Sequence, residues 1–338
     1  VGVIDLSIVI VNWNTRRLLL NCLASIDRGL GAEVPPLRER AETIVVDNGS
    51  QDGSAEAVRE KFPWAQVLAL DANRGFSAGS NAGLRRARGR FALLLNSDTV
   101  LGPGVLAHCL GFLVAHAEVG ILGPELRSPE GRRQRDIHAI PGWLTELVPK
   151  GLLEMLWPRR FPSRRQVYLQ AVDVPAVLGA ALFVRREVLE QVGLLPEDHF
   201  LFLEETDLCL RARRAGWRVV HLPGAFVTHI HGASSKKRLP AETRIEYQRS
   251  LFLFFRKYHG PRQAKALALW RSFKALLYVV VRAPSALSVQ GRERLGQDWK
   301  VLAWYLRGCP PDWGIPGRRP RLEGDPAPAL VEAQDRRS

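Results

Sequence analysis

Four times before residue 100 the chain carries a short apolar run that stops abruptly on polar side chains, and no other feature narrows its fold as much. Residues 6–11 (LSIVIV) end on Asn12, Trp13 and Asn14, and 43–47 (TIVVD) end on Asn48, Gly49 and Ser50. Residues 66–70 (QVLAL) lead into the loop 71–76, and 91–95 (FALLL) end on Asn96, Ser97 and Asp98. Runs this short and this apolar read as strands buried on both faces. Helical patterns separate them: Leu18, Leu19, Cys22, Leu23 and Ile26 after a Thr15 cap and closed by Gly29, then 54–61, then a small-residue helix over 77–88 ended by Gly89. Strand and helix in alternation require a mostly parallel sheet with right-handed crossovers, an α/β nucleotide-binding architecture whose ligands lie off the carboxyl ends of the strands. No glycine-rich fingerprint follows 6–11, which argues against a dinucleotide dehydrogenase.

Further on, the pattern predicts a helix over 103–116, a strand at 119–122, a hairpin turn at 128–131, a strand at 176–184, a helix at 186–192 and a strand at 217–222. Between 132 and 170 the periodicity dissolves into a basic excursion rich in Pro and Trp, too long for an ordinary connection: a mobile functional loop or a poorly ordered insertion. Residues 244–258 and 264–281 read as helices broken by Gly260 and Pro261. The second sets Leu267, Trp270, Phe273, Leu277 and Val281 on or near one face, with Lys265, Arg271, Lys274 and Arg282 around it. Arg271 and Lys274 interrupt any run approaching the ~18 apolar residues of a membrane span. A basic amphipathic helix can lie on an anionic bilayer or pack on the body of the protein.

Three positions can carry chemistry. Asp98, just past a buried strand, can hold a metal or a phosphorylated ligand, or cap the helix beginning near Pro103. Glu204, Glu205 and Asp207 open a helix after the apolar run 200–203; negative charge there suits the helix dipole, and it also suits a base aimed into a pocket. His229 and His231 stand at alternate positions, as satisfied core residues or as metal ligands.

The net charge of +14, concentrated between 236 and 321, points to a polyanionic partner: nucleic acid, anionic lipid or a phosphorylated substrate. No nucleic-acid recognition motif is present. Cys22, Cys109, Cys209 and Cys309 lie far apart, which disfavours zinc and suits reduced thiols inside a cell. With no leader ahead of the first strand, the expected location is cytoplasmic.

In order along the chain, VNWN, VDNGSQDGS, NRGFSAGSNAG, LLLNSDTV, VLGAALFVRREVLEQVGLL, EETDLCLRARRAGW and HIHGASS resemble the motifs of family 2 glycosyltransferases with the GT-A fold, in the bacterial rhamnosyltransferase-like subgroup. The resemblance implies an inverting transfer of a sugar from a nucleoside-diphosphate donor, dTDP-rhamnose, to a lipid-linked or polysaccharide acceptor in cell-envelope glycan synthesis. Galactofuranose, GlcNAc or glucose are alternative sugars. It places Asp47 on the nucleotide base with Val11, Asn12, Asn14, Asn48 and Ser50 around it, and Asn73, Gly75 and Asn81 near the ribose and diphosphate. Asn96, Ser97 and Asp98 answer to the family's D-x-D motif, with Asn96 in place of the first acid. Asp98 and His229 would hold Mg or Mn, Gly179 and Ala180 would meet a sugar, and Glu205, with Glu204 as competitor, would be the general base. Asp207 is the expected brace of its helix. Replacement of the usual acids at Asn96 and Glu205 leaves a second reading, a non-catalytic nucleotide-sugar or polyanion-binding protein. The expected organisation is a catalytic domain over 1–235 (nucleotide-binding half 1–100, acceptor and catalytic half 101–235), a basic helical region over 236–307 in contact with an anionic membrane on the cytoplasmic face, and an irregular tail over 308–338.

Overall fold

The computed structural model of the chain describes residues 4–32, 37–134, 136–158, 160–161, 167–230 and 240–315. Strands β1 (Leu6–Asn12), β2 (Ala41–Asp47), β3 (Gln66–Ala69) and β4 (Phe91–Asn96) pair in parallel in the order β3-β2-β1-β4. Helices α1 (Arg16–Ala32), α2 (Ser54–Lys61) and α3 (Gly75–Arg86) connect them. The chain continues through β5 (Thr99–Leu101), α4 (Val105–Ala115), β6 (Val119–Arg127), β7 (Ile137–His138), α5 (Trp143–Leu147), α6 (Lys150–Leu156), β8 (Val172–Asp173), β9 (Ala176–Val177) and β10 (Ala181–Arg185). Next come α7 (Arg186–Val192), α8 (Glu204–Arg214), β11 (Arg218–His229), α9 (Pro240–His259), α10 (Pro261–Arg282) and α11 (Val289–Leu306). β10 enters antiparallel between β4 and β6, β11 lies parallel to β6, and β5 and β8 run antiparallel to β11. Six of the strands in this nine-stranded sheet therefore point one way, as strand–helix alternation requires.

Both faces of the sheet are covered. On one, Leu19, Cys22 and Leu23 of α1 and Leu106, Cys109 and Leu113 of α4 pack on Ile8, Ile10, Leu93 and Leu95. On the other, Leu84 of α3, Val188 of α7 and Leu208 of α8 pack on Val9, Val46 and Leu94. Burying each large aliphatic side chain contributes roughly 1.5–3 kcal/mol, and burial on both sides explains why the strand sequences show no alternation. The last three helices are tied by Asp298 of α11, whose two oxygens accept from Arg244 of α9 and Arg282 of α10, each at 2.7 Å.

Several boundaries differ from the sequence pattern. α1 does not stop at Gly29, which sits beside Leu106 of α4; the helix runs on to Ala32. The strand expected over 176–184 is broken at 178–180, dividing β9 from β10. β6 and β11 outrun their apolar cores because a polar end can still pair inside a sheet; β11 shifts register between Leu222 and Phe226, at Pro223 and Gly224, and carries on to His229. The excursion over 132–170 contains β7, α5 and α6 among its described residues, with Ile137 and Leu153 buried.

The closeness of α3 to the sheet rests on glycine. A side-chain carbon built on Gly83 would stand 2.3 Å from Val9 Cγ1 and 3.2 Å from Val46 Cγ2. Gly83→Ala is expected to cost about 1–3 kcal/mol of stability by overpacking, read as a lower midpoint in urea unfolding.

Candidate active site

The parallel register brings four strand ends to one edge of the sheet, with Asn12 beside Asp47 and Val11 beside Asn96. A chain of short hydrogen bonds then runs along that edge. Asn12 Nδ2 donates to Asp47 Oδ1 and to Ser50 Oγ, both at 3.1 Å; Asn12 Oδ1 accepts from Thr15 Oγ1 at 2.6 Å; and Thr15 Oγ1 lies 2.8 Å from Ser97 Oγ. Asn14, at φ 53°, donates its backbone N–H to Ser50 Oγ and accepts from Gln51 N. Asp47 Oδ2 accepts from Ser50 N at 3.2 Å, so this carboxylate shapes its own turn while standing at the strand end.

A second seam joins the loops after β2 and β3. Asn48 Nδ2 donates to Asn73 Oδ1 and to the Gly75 carbonyl, both at 3.0 Å, and Asn48 Oδ1 accepts from Arg74 N. Asn73 Oδ1 also accepts from Gly75 N. Gly75 itself, at φ 88°, lets the strap before α8 come close: a side-chain carbon there would lie 2.4 Å from the Phe200 carbonyl oxygen, which accepts from Phe76 N.

Two of the expected nucleotide residues have other partners. Asn81 is 1% exposed, and its amide bonds to Leu195 N, the Leu195 carbonyl and Glu197 Oε1, which makes it an anchor for that strap. Val11 turns its side chain toward α3, where Gly79 leaves it room, so only its backbone stands at the strand end.

Asp98 lies buried in the turn between β4 and β5. It caps no helix, because β5 intervenes and α4 opens on Gly104. Its Oδ1 is 3.5 Å from His229 Nε2 at the end of β11. Gln134 fixes that imidazole. Its Nε2 donates to the His229 carbonyl at 2.6 Å, which sets Oε1 3.0 Å from Nδ1 as an acceptor. Gln134 thereby sets the plane of the ring, so that Nε2 and the Asp98 carboxylate face one another, an arrangement from which both could reach a shared cation. Among the described residues no third His, Cys, Asp or Glu completes a metal cluster, so a cation here would take its other ligands from bound oxygen donors. His231 lies outside the described residues.

Glu204 and Glu205 open α8 in the buried interior, and the turn that delivers them is strained: Phe202 and Leu203, neither of them glycine, sit at φ 76° and 66°. Burial outweighs the helix dipole. It drives Glu204 well above the ordinary carboxylate range, reinforced by the charge of Glu205, and pushes Glu205 up to about 7. Glu204 Oε2 has no partner among the described residues. His138 Nδ1 stands 3.8 Å from Glu205 Oε1, and buried His199 favours the Glu205 charge. Asp207 is the expected brace. Hydrogen bonds from Lys257 and Tyr258 of α9 and from Arg211, at 2.6–2.7 Å, overcome its burial and hold it below the usual range.

The break at 178–180 joins the two acidic ends. A side-chain carbon on Gly179 would stand 3.4 Å from Glu205 Cβ, while the carbonyl of the next residue, Ala180, accepts from Asn96 N at 3.0 Å. Gln134 and His138 come from the aperiodic excursion, and the strain at Phe202 and Leu203 has no compositional sign, so none of the four stands out in the sequence. Thr15 reads there only as a helix cap.

The model of the glycosyltransferase-like family 2 matches residues 5–247. An N-acetylglucosaminyl-diphospho-decaprenol L-rhamnosyltransferase of Mycobacterium tuberculosis is 30% identical over 273 residues, covering 75% of this chain and 85% of that protein. A low-salt glycan biosynthesis hexosyltransferase of Haloferax volcanii is 27% identical over 258 residues, covering 75% of this chain and 73% of its own. The mannosyltransferase PcManGT of Pyrobaculum calidifontis, solved with GDP-Man and Mn2+, superposes at a TM-score of 0.53 with 18% identity over 90% of this chain and 87% of that one, and shares its GT-A fold. From the matched span and the ordered strand-end site together, the chain belongs to glycosyltransferase family 2.

Proposed function

We propose that the chain is an inverting transferase that moves a sugar, rhamnose, from dTDP to a hydroxyl of a lipid-linked or polysaccharide acceptor during cell-envelope glycan synthesis. The sugar and the lipid-linked acceptor are suggested by the mycobacterial relative, a rhamnosyltransferase named for a diphospho-decaprenol acceptor. We place the work at the cytoplasmic face of the membrane, with the chain as a peripheral protein; no helix among the described residues is long and apolar enough to cross one.

The observation that carries this reading is Glu205: a buried carboxylate with its pKa pushed up to about 7, one residue's span of backbone from the strand end that bears Asn96. A base with that pKa is ionised near neutrality yet still takes a proton readily. The acceptor oxygen forms its bond to the anomeric carbon and gives its proton to the Glu205 carboxylate, while the bond from that carbon to the diphosphate breaks and the diphosphate leaves with the electron pair. Burial and the neighbouring Glu205 charge both hold back ionisation of Glu204 beside it. His138 is placed to steady the Glu205 carboxylate. Asp98 and His229 would hold a divalent cation, Mg or Mn, which when bound offsets charge on the departing diphosphate. Asp47, Asn12 and Ser50 form the polar end for the nucleotide, and the Asn48–Asn73–Gly75 seam sets the loops over the ribose and diphosphate.

Four measurements test this. Glu205→Gln is expected to lower donor hydrolysis and transfer by at least about a hundredfold, the range of a lost general base, while donor binding measured by thermal shift persists; undiminished turnover would remove Glu205 as the base. Asp98→Ala, or a chelator, is expected to weaken the thermal shift given by dTDP-rhamnose with Mg or Mn, and indifference to both would end the metal assignment. In wild type, kcat is expected to rise about tenfold per pH unit up to about 7 and then level off, since the base works ionised. Stability runs the other way. The folded pKa lies above the unfolded 4.5, so wild type loses stability relative to Glu205→Gln as pH rises from 4.5 to about 7, which thermal melts across that window would read.

A further inference from the structure

The stripe that the sequence sets on one face of α10 is divided in the structure. Leu267 is buried against Leu251, Phe254 and Phe255 of α9, and Ala275 and Val279 pack toward α11. The opposite side should then be polar, as on most surface helices. Instead Leu269, Phe273, Leu276, Leu277 and Val280 all point outward, 48–74% exposed. At 100° per residue these five fall within about 100° of one another on the helix wheel, directly across from the buried stripe. Leu287 and Val289, just past the helix, are exposed as well. A helix with apolar side chains on its open side as well as its buried one calls for a second apolar phase.

Charge selects that phase. No Asp or Glu occurs anywhere in 261–292, whereas Arg262, Lys265, Arg271, Lys274, Arg282 and Arg292 do. Arg271 and Arg282 turn inward to Glu146 and Asp298, while Arg262 and Lys265 stand exposed on the turn before Leu269. A second copy docking through this face by a two-fold axis would set cations against cations with no acid on the helix to pair them. A bilayer with anionic headgroups meets both demands, taking the apolar side chains into its acyl boundary and the cations at its surface.

We propose that the outward face of α10, centred on Phe273 and Leu276, inserts in the plane of an anionic membrane and is the surface by which the protein seats itself there. This rests on the peripheral-membrane part of the proposed function, and it names the face. The test is flotation of the full chain with phosphatidylcholine vesicles and with vesicles containing phosphatidylglycerol, for wild type and for the double variant Phe273→Ser with Leu276→Ser, in parallel with thermal melts, donor binding and light scattering. Wild type is expected to float with the phosphatidylglycerol vesicles and to lose most of that binding in high salt, and the double variant to bind at least about tenfold more weakly with melting and donor binding unchanged. Equal flotation of the double variant would overturn this face while leaving a peripheral protein. No flotation of wild type on either vesicle would overturn both. A concentration-dependent dimer that the double variant abolishes would overturn the proposal in favour of a second copy of the chain.

Discussion

Holding two adjacent carboxylates inside the protein is the constraint that the rest of the active region answers to. Glu204 and Glu205 are both nearly inaccessible, and the chain enters their helix through two consecutive left-handed residues that are not glycine. Each such residue costs on the order of 1–3 kcal/mol and persists only where its surroundings over-determine it. Here they do. Leu203 is buried with Leu251, Phe254 and Phe255; Phe202 meets Tyr247 edge to face; Ser250 Oγ donates to the Leu201 carbonyl at 2.7 Å; and Asp207, one turn into α8, is gripped by Lys257 and Tyr258. α9 is thus the clamp on the acid-bearing turn.

The other half of the site is built differently. Amides and hydroxyls dominate it: Asn12, Asn14, Asn48 and Asn73 with Thr15, Ser50 and Ser97, linked so that the strand ends and the loops after them share hydrogen bonds. Those amides and hydroxyls do not titrate, in contrast to the carboxylate pair, and Asp47 is the acid that their network holds at the strand end. The two halves meet in the Gly179–Ala180 step, which touches Glu205 on one side and the β4 end on the other.

The fold and much of the site were legible in the sequence because buried parallel strands announce themselves as apolar runs, and polar residues at their carboxyl ends are hard to explain otherwise. Asp98 could be picked out on that ground, the Glu204–Glu205 pair as acids at a helix start after an apolar run, and His229 as one of two histidines at alternate positions. What stayed hidden has identifiable causes. A strand buried on both sides has no period-two signal, so nothing told that Val11 faces α3 while Asn12 faces Thr15. Asn81 reads as any loop-side amide until Leu195 and Glu197 arrive from more than a hundred residues away to occupy it. Gln134 and His138 sit where periodicity gives out, and only the tertiary return of that excursion brings them to His229 and Glu205.

The span that matches the family ends at residue 247, partway along α9, yet the groups that secure the carboxylate turn, Ser250 through Tyr258, come after it. The packing unit around the two carboxylates is therefore longer than the sheet and runs past the span that the family model matches. A chain cut where the sheet ends would keep its strand-end loops and lose the α9 contacts that hold the Glu204–Glu205 turn, so α9 is structurally continuous with the sheet and not a detachable appendage.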